Sequence, residues 1–370
     1  MAARVPTARA LARQVRFHLS FTLSSLTVSL RVVNPSHYLP MSVELSERPA
    51  PPAPREITTK PRRSDQIFRI VVTIGGMASL VILGLIALFL SLKGAHVLVD
   101  EKFSFITGSD WEAITDESGN IVESNFGIGP MLVGTVLCAL IAVVVGVPIS
   151  VLTALYLTFY ANGRVKKFLI SVIDLMAAFP SLLFGFWGFI VFMSSAEYWA
   201  KLLNKYLGFI PFFDVPAPVF ERSPFIAGLV LAIMIIPIVT AISREIFDQT
   251  PLDRIQAAYA LGATKLAMIK AVVIPYGRGG IIGGAMLGLG RAMGETVAVY
   301  TVLNIVYQIN WQVLFGAGGN VASLILLKFG EAGPYEVDAL MAAGLILFLL
   351  TLLVNATADY IINRFGGKGR

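Results

Sequence analysis

Apolar residues fall into six long runs, at about 67–92, 130–158, 168–193, 225–243, 280–304 and 339–362. Covering ~30 Å of hydrocarbon takes about 20 residues at helical rise, and each run approaches or exceeds that length. The pattern predicts an all-α integral membrane fold with about six transmembrane helices. The fourth run is short and contains Pro237, so hydropathy alone supports it least. The charge distribution requires it.

With the N-terminus placed in the cytoplasm, fifteen Lys and Arg flank the runs on the inner side, from Lys60 through Arg164, Arg244 and Arg254 to Arg370. Six flank them outside: Lys93, Lys102, Lys201, Lys205, Arg222 and Lys328. Basic residues concentrate on the cytoplasmic side of membrane proteins, so both termini are expected to be cytoplasmic, which requires an even number of spans. The composition agrees, with 56% hydrophobic and only 14% charged residues, against about a quarter charged in soluble domains. The net charge of +6 then reports topology and not nucleic acid. The first outer loop is acidic, with Asp100, Glu101, Asp110, Glu112, Asp116, Glu117 and Glu123. It reads as a solvated face, with a docking surface for another protein as the alternative. Trp111, Trp199 and Trp311 fall in outer segments and read as interfacial anchors.

Candidate chemistry is sparse. Cys138 is the sole cysteine and lies in an apolar run, and the three histidines (His18, His37, His96) lie in the N-terminal tail or just past the first run. Neither a metal centre nor a catalytic constellation is expected. Two stretches stand out. Between the fourth and fifth runs, Thr250 to Pro275 reads as a short amphipathic helix-turn-helix. Thr250 would cap it, Pro251 suits its first turn, Gly262 permits the break, and Pro275 interrupts before the next span. A helix lying on lipid headgroups fits the same residues. In the fifth run Gly280, Gly284 and Gly288 form a four-residue stripe, and Gly290 pairs with Gly294. Such stripes let helix backbones approach closely, and packing alone accounts for them. Arg291 and Glu295 are harder to place at membrane depth, where an ionised side chain costs about 2.5–3.5 kcal/mol or more. At i, i+4 they would share a helix face. They form either a structural ion pair or the lining of a hydrated path where Arg291 offers directed hydrogen bonds to an anion. Asp174 also falls inside a predicted span, without a partner nearby in sequence.

Gln256-Ala257-Ala258, Gly262 and Ile274-Pro275 resemble the EAA loop of ATP-binding-cassette importer permeases, departing at Gln256, where that family has Glu. Leu287 to Val299, with its Arg291-Ala292-Met293-Gly294-Glu295-Thr296 core, resembles the signature of phosphate importer permeases of the PstC type. Phe126 to Thr135 and Phe179 to Gly188 match the same family, so the resemblance spans most of 67–365. It implies a type I importer permease in a bacterial inner membrane, with Gln256, Ala257, Ala258, Gly262 and Pro275 in the ATPase-coupling loop. It also implies that Arg291, Glu295 and Thr296 serve translocation. The implied partners are a PstA-type permease, a PstB-type ATPase dimer and a PstS-type phosphate-binding protein. ATP and Mg would bind on the ATPase, because this chain contains no Gly-x-x-x-x-Gly-Lys-Ser/Thr loop. The chain itself is then a transport subunit and not an enzyme. The competing readings are a permease for sulfate or molybdate, and an ion-coupled secondary transporter using Glu295 or Asp174. A membrane enzyme would need a nucleophile and base that the sequence does not offer.

Residues 1–66 are of different material, rich in Ser, Thr, Pro and charge and including Pro49-Ala50-Pro51-Pro52-Ala53-Pro54. They are expected to form a disordered cytoplasmic tail ahead of the permease domain at 67–365. Residues 1–40 hold five arginines and no acidic residue, and Met41-Ser42-Val43-Glu44 resembles an ordinary start. Translation from Met41 is predicted. Mass spectrometry of the native N-terminus checks this, and any peptide from 1–40 would refute it.

Overall fold

The computed structural model describes residues 22–23, 26–27, 63–115, 121–215 and 217–365. Contacts divide the chain into Met1–Gly75 and Gly76–Arg370. Within the first unit, the described residues comprise a minimal antiparallel pair, Thr22–Leu23 with Leu26–Thr27, and the beginning of a helix. Most of the expected 1–66 tail, including the Met41 start, lies outside the described residues.

Among the described residues, six helices are long and apolar enough to cross a membrane: Arg63–Glu101, Gly129–Phe159, Ser181–Leu207, Pro224–Asp248, Lys265–Met293 and Pro334–Tyr360. They are called the first to sixth spans below. Consecutive spans join alternately at two ends. One end holds the connections 102–128, 208–223 and 294–333, and the other holds 160–162 and 249–264; the helix Gly163–Ala178 leads from the latter end to Pro180.

Two expected spans are redrawn. The third apolar run, 168–193, is not one helix: Gly163–Ala178 is a separate amphipathic helix with no buried residue, and the membrane-length helix starts at Ser181. Pro180 is the cause. The residue before a proline is pushed out of helical geometry, and Phe179 is extended (φ −67°, ψ 136°). Asp174 therefore sits exposed on the amphipathic helix. The fifth span starts at Lys265 and ends at Met293, well short of 304. Pro275 does not interrupt it: a π-helical turn at Ile269–Val273 precedes the proline, which lies in the first turn of Ile274–Met293, where its missing N–H is tolerated.

The weakest predicted span is the centre of the bundle. Residues of Pro224–Asp248 form much of the main core (Ile226, Val230, Met234, Ile235, Val239), against Cys138, Ala139 and Ala142 of the second span. Pro237 lies within this helix. Beside it, Ser150 Oγ donates to the Ile236 carbonyl at 3.3 Å, and Thr240 Oγ1 donates to the Ser150 carbonyl at 3.4 Å. Such interhelical bonds satisfy polar groups where water is absent.

The first long loop is not simply a solvated acidic face. It contains an antiparallel hairpin, Trp111–Thr115 with Ile121–Phe126. Trp111 is 7% exposed and its Nε1–H donates to Glu336 at 2.7 Å. Glu101 accepts from Ser124 Oγ and the Phe126 N–H. Trp111 is thus a core residue, unlike the exposed Trp199 and Trp311. Val97, Phe105, Trp111, Phe126, Met131 and Leu340 make a second core that ties the hairpin to the first, second and sixth spans.

At Gly134 the second span touches the 303–320 segment so closely that a Cβ would run into the Gly319 carbonyl. Gly134→Val is expected to destabilise the fold by about 1–3 kcal/mol, the usual cost of overpacking. Thermal melting in detergent, followed by size-exclusion fluorescence, checks it. An unchanged melting curve would mean the backbones separate freely.

Candidate functional site

The site is the point where the fifth span stops inside the bundle. Gly290 and Gly294 weaken the helix, and Gly294 occupies the helix end (φ −89°, ψ 0°). The chain turns through Glu295 and Thr296 and resumes as a short helix, Val297–Val302. Residues 303–320 then run beside the 212–225 segment, and Val321–Lys328 forms a further short helix before the sixth span.

A break of this kind frees backbone groups that need partners, and each of the following bonds supplies one. Asn320 Nδ2 donates to the Glu295 carbonyl at 2.7 Å, while its Oδ1 accepts from the Ser323 N–H at 2.8 Å. Ser323 Oγ donates to the Thr296 carbonyl at 3.1 Å. Thr135 Oγ1, on the second span, accepts from the Val321 N–H at 3.2 Å. Glu295 itself is 9% exposed, and its Oε1 accepts from the Ala298 N–H at 3.3 Å. Thr296 Oγ1 donates back to the Gly294 carbonyl at 3.3 Å. Asn320, Ser323 and Thr135 were not among the residues singled out from the sequence. The signal was present: an Asn directly before an apolar helical run, with Ser three residues on, is a helix-start pattern.

The expected sharing of one helix face by Arg291 and Glu295 does not hold. Arg291 is in the last turn of the fifth span, whereas Glu295 lies beyond its end and turns toward the short helix. Among the described residues, Arg291 makes no ion pair within 4.0 Å. Its half-buried guanidinium keeps donors available for an anionic oxygen, and Glu295 holds the break beside it.

The glycines separate into two groups. Gly280, Gly284 and Gly288 face the fourth span, where added Cβ atoms would meet Ile246, Ile242 (3.3 Å) and Val239 (3.0 Å) in turn. Gly290 and Gly294 are not in such contact and belong to the break.

At the opposite end, Leu252–Ala260 is a short helix with Gln256 and Ala257 exposed and Ala258 half-buried. Gly262 turns the chain with φ +79°, a conformation costly for any residue with a Cβ. Thr250 does not cap this helix; its Oγ1 is buried without a partner among the described residues. Thr264 caps the next helix, which begins at Lys265, accepting from the Ala267 N–H at 3.3 Å. Lys265 donates to the Phe159 carbonyl and lies 4.2 Å over the Tyr160 ring, so the start of the fifth span is tied to the end of the second. Pro275 is exposed in the first turn of the helix Ile274–Met293.

Loss of Asn320 should open the break. Asn320→Ala is expected to cost about 1–3 kcal/mol, because it removes a helix cap and leaves the buried Glu295 carbonyl unpaired. A melting shift against Gln308→Ala, an exposed amide, checks it; equal effects would show that the break does not depend on Asn320.

Comparison with known proteins places this geometry in context. Residues 146–367 match the family model described as "Binding-protein-dependent transport system inner membrane component". "Phosphate transport system permease protein PstC 2" of Mycobacterium bovis is 39% identical over 310 residues, 83% of this chain and 93% of the relative. The PstC permease of Mycobacterium leprae is 38% identical over 85% of this chain and 97% of the relative. Among solved structures, an inward-facing MetNI methionine ABC transporter is similar over 64% of this chain and 94% of that one, at 18% identity and a TM-score of 0.45. That likeness is too distant to carry a functional argument.

Proposed function

The chain belongs to the binding-protein-dependent transport system inner-membrane components, and from that premise we propose that it is the permease subunit of an ATP-driven phosphate importer. The observation that carries the cargo is the 39% identity to a phosphate permease across 93% of that protein's length. The geometry supports it. An uncompensated Arg291 beside a helix break is a suitable place to receive a hydrated oxyanion, since a guanidinium replaces lost hydration with directed hydrogen bonds.

The basic residues orient the chain with both termini and the 249–264 segment in the cytoplasm. The helix Leu252–Ala260, with Gln256 and Ala257 at its surface, is the segment that docks on a separate ATPase, where ATP and Mg bind. Closure of the ATPase moves this helix. Lys265 and the packing of Met268 and Ile269 on Phe247 pass the movement to the second and fourth spans. The fifth span then acts as a lever from Lys265 to Met293, and the break at 294–296 lies at its far end. Tilting the lever against the Val239–Ile242–Ile246 ridge shifts Arg291 relative to the short helix that follows. The path opens to each side in turn. A second permease of the PstA type completes the path, and a PstS-type binding protein delivers phosphate from outside. Gln256 keeps the size and carbonyl of the family's Glu without its charge, so docking here uses no salt bridge at that position.

The test is radiolabelled phosphate uptake by the assembled four-component complex in cells lacking their own importer, with sulfate as a parallel cargo. Arg291→Gln is expected to lower phosphate uptake about 10- to 100-fold, the worth of a charge-assisted hydrogen bond. Unchanged uptake in the variant would reduce Arg291 to a packing residue. Sulfate uptake without phosphate uptake would overturn the cargo.

A further inference from the structure

A cavity of about 380 Å³ lies at the hairpin end, between the third span, the loop before the fourth span and the segment after the break. Its polar lining is Arg222, Tyr300, Thr301 and Asn304, and its apolar walls include Phe186 and Phe189. Arg222 is the only charged residue lining it, and no carboxylate does, among the described residues. The size is ordinary for a small-molecule site.

The arginine is held there by its backbone. Arg222 has φ +53°, a left-handed conformation that a residue with a Cβ adopts only where its surroundings impose it. Here they do. Ser223 is fully buried and caps the fourth span, accepting from Ile226 N–H, and Phe225 N–H donates to Val313 at 2.9 Å. Gly316 N–H donates to Val219 at 2.8 Å, and any Cβ on Gly316 would collide with the Glu221 carbonyl. The guanidinium is thereby placed 5.0 Å from the centre of the Phe189 ring. Stacking on an aromatic face leaves the in-plane N–H edge of arginine free to donate. Among the described residues, Arg222 makes no ion pair within 4.0 Å.

The neighbouring groups suit the same ligand. Tyr300 contributes a hydroxyl and Asn304 an amide, both exposed. Thr301 already donates its proton to the Ala298 carbonyl at 2.9 Å, so it positions the helix and does not bind an anion. Tyr300 lies on the short helix that begins at the break, only five residues after Glu295.

We propose that this cavity is an outer receiving site for a tetrahedral oxyanion, held by Arg222, Tyr300 and Asn304, from which the cargo descends along the short helix to Arg291. The proposal rests on the phosphate-importer reading for the identity of the ligand and for the outer placement of this end. Arg222 takes the anion as it leaves the binding protein, and Arg291 takes it at depth. Two cationic stations in series allow each to bind weakly enough to release.

The experiment measures phosphate uptake and binding-protein-stimulated ATP hydrolysis in the complete complex in proteoliposomes, for wild type, Arg222→Gln and Arg222→Lys. Arg222→Gln is expected to lower phosphate carried per ATP by about tenfold, with ATP hydrolysis within twofold of wild type and Arg222→Lys intermediate. Equal loss of uptake and hydrolysis, unrelieved by lysine, would make Arg222 a structural residue and overturn the proposal. So would unchanged uptake. If Arg222→Gln does not assemble, Ile305→Cys provides a second measurement on the cavity wall. Millimolar inorganic phosphate should slow labelling of that thiol by a neutral maleimide at least threefold, and no protection would count against the site. A wild-type complex that hydrolyses ATP but carries no phosphate would remove the cargo assignment instead, a result distinct from any of these.

Discussion

A backbone that leaves helical geometry at membrane depth must find new hydrogen-bond partners inside the protein, since lipid supplies none. The break at Gly294–Thr296 meets that requirement through two side chains from elsewhere in the chain, and a third anchors the helix that supplies them. Asn320 takes the Glu295 carbonyl, Ser323 takes the Thr296 carbonyl, and Thr135 receives the Val321 N–H. These bonds fix where the fifth span ends and where the 303–320 segment ends. They also set the direction of the short helix that carries Tyr300. The position of Arg291 next to an interruption, and the cavity beyond it, follow from the same few bonds.

The rest of the bundle holds that break at a defined distance from the opposite surface. The glycine stripe lets the fifth span lie against the β-branched ridge of the fourth, and the fourth is buried against the second. Lys265 joins the start of the fifth span to the end of the second. A displacement of the Leu252–Ala260 helix therefore reaches the break through continuous, close-packed helix. Close-packed interiors move between discrete arrangements more readily than they deform, which is the property an alternating-access path needs. The amphipathic helix Gly163–Ala178, joined to the fourth span's end by Lys166 and Asp248 at 3.8 Å, braces the same surface.

Much of this was legible from the residues in order. Four of the six apolar runs fall within or close to the membrane-length helices and the other two overlap them in part, because a run long enough to cross hydrocarbon has few other ways to satisfy its backbone. The Gly262 turn and the helix at 252–260 were also readable, as each depends on contacts within a few residues. Errors arose where a local signal competed with a distant partner. Trp111 looked like an interfacial anchor until Glu336, 225 positions away, supplied its acceptor. Thr250 looked like a cap, but burial against the bundle turned its hydroxyl inward.

What the sequence determined by itself was the class of molecule: a multi-pass membrane protein whose fifth apolar run includes an arginine and a glutamate. Hydropathy and charge act through the surrounding solvent, so they need no knowledge of which helices touch. The tertiary structure decided how Arg291 and Glu295 relate. Spacing placed them on one helix face, but Asn320 and Ser323 draw the carbonyls of Glu295 and Thr296 away from the helix and end it between the two residues. Tertiary contacts likewise gave Arg222 its role, since only the packing of the 219–225 and 313–316 segments forces its left-handed backbone and aims it over Phe189. Hydrogen bonds between residues far apart in sequence leave no periodic trace in the chain, and that is why these two features waited for the fold.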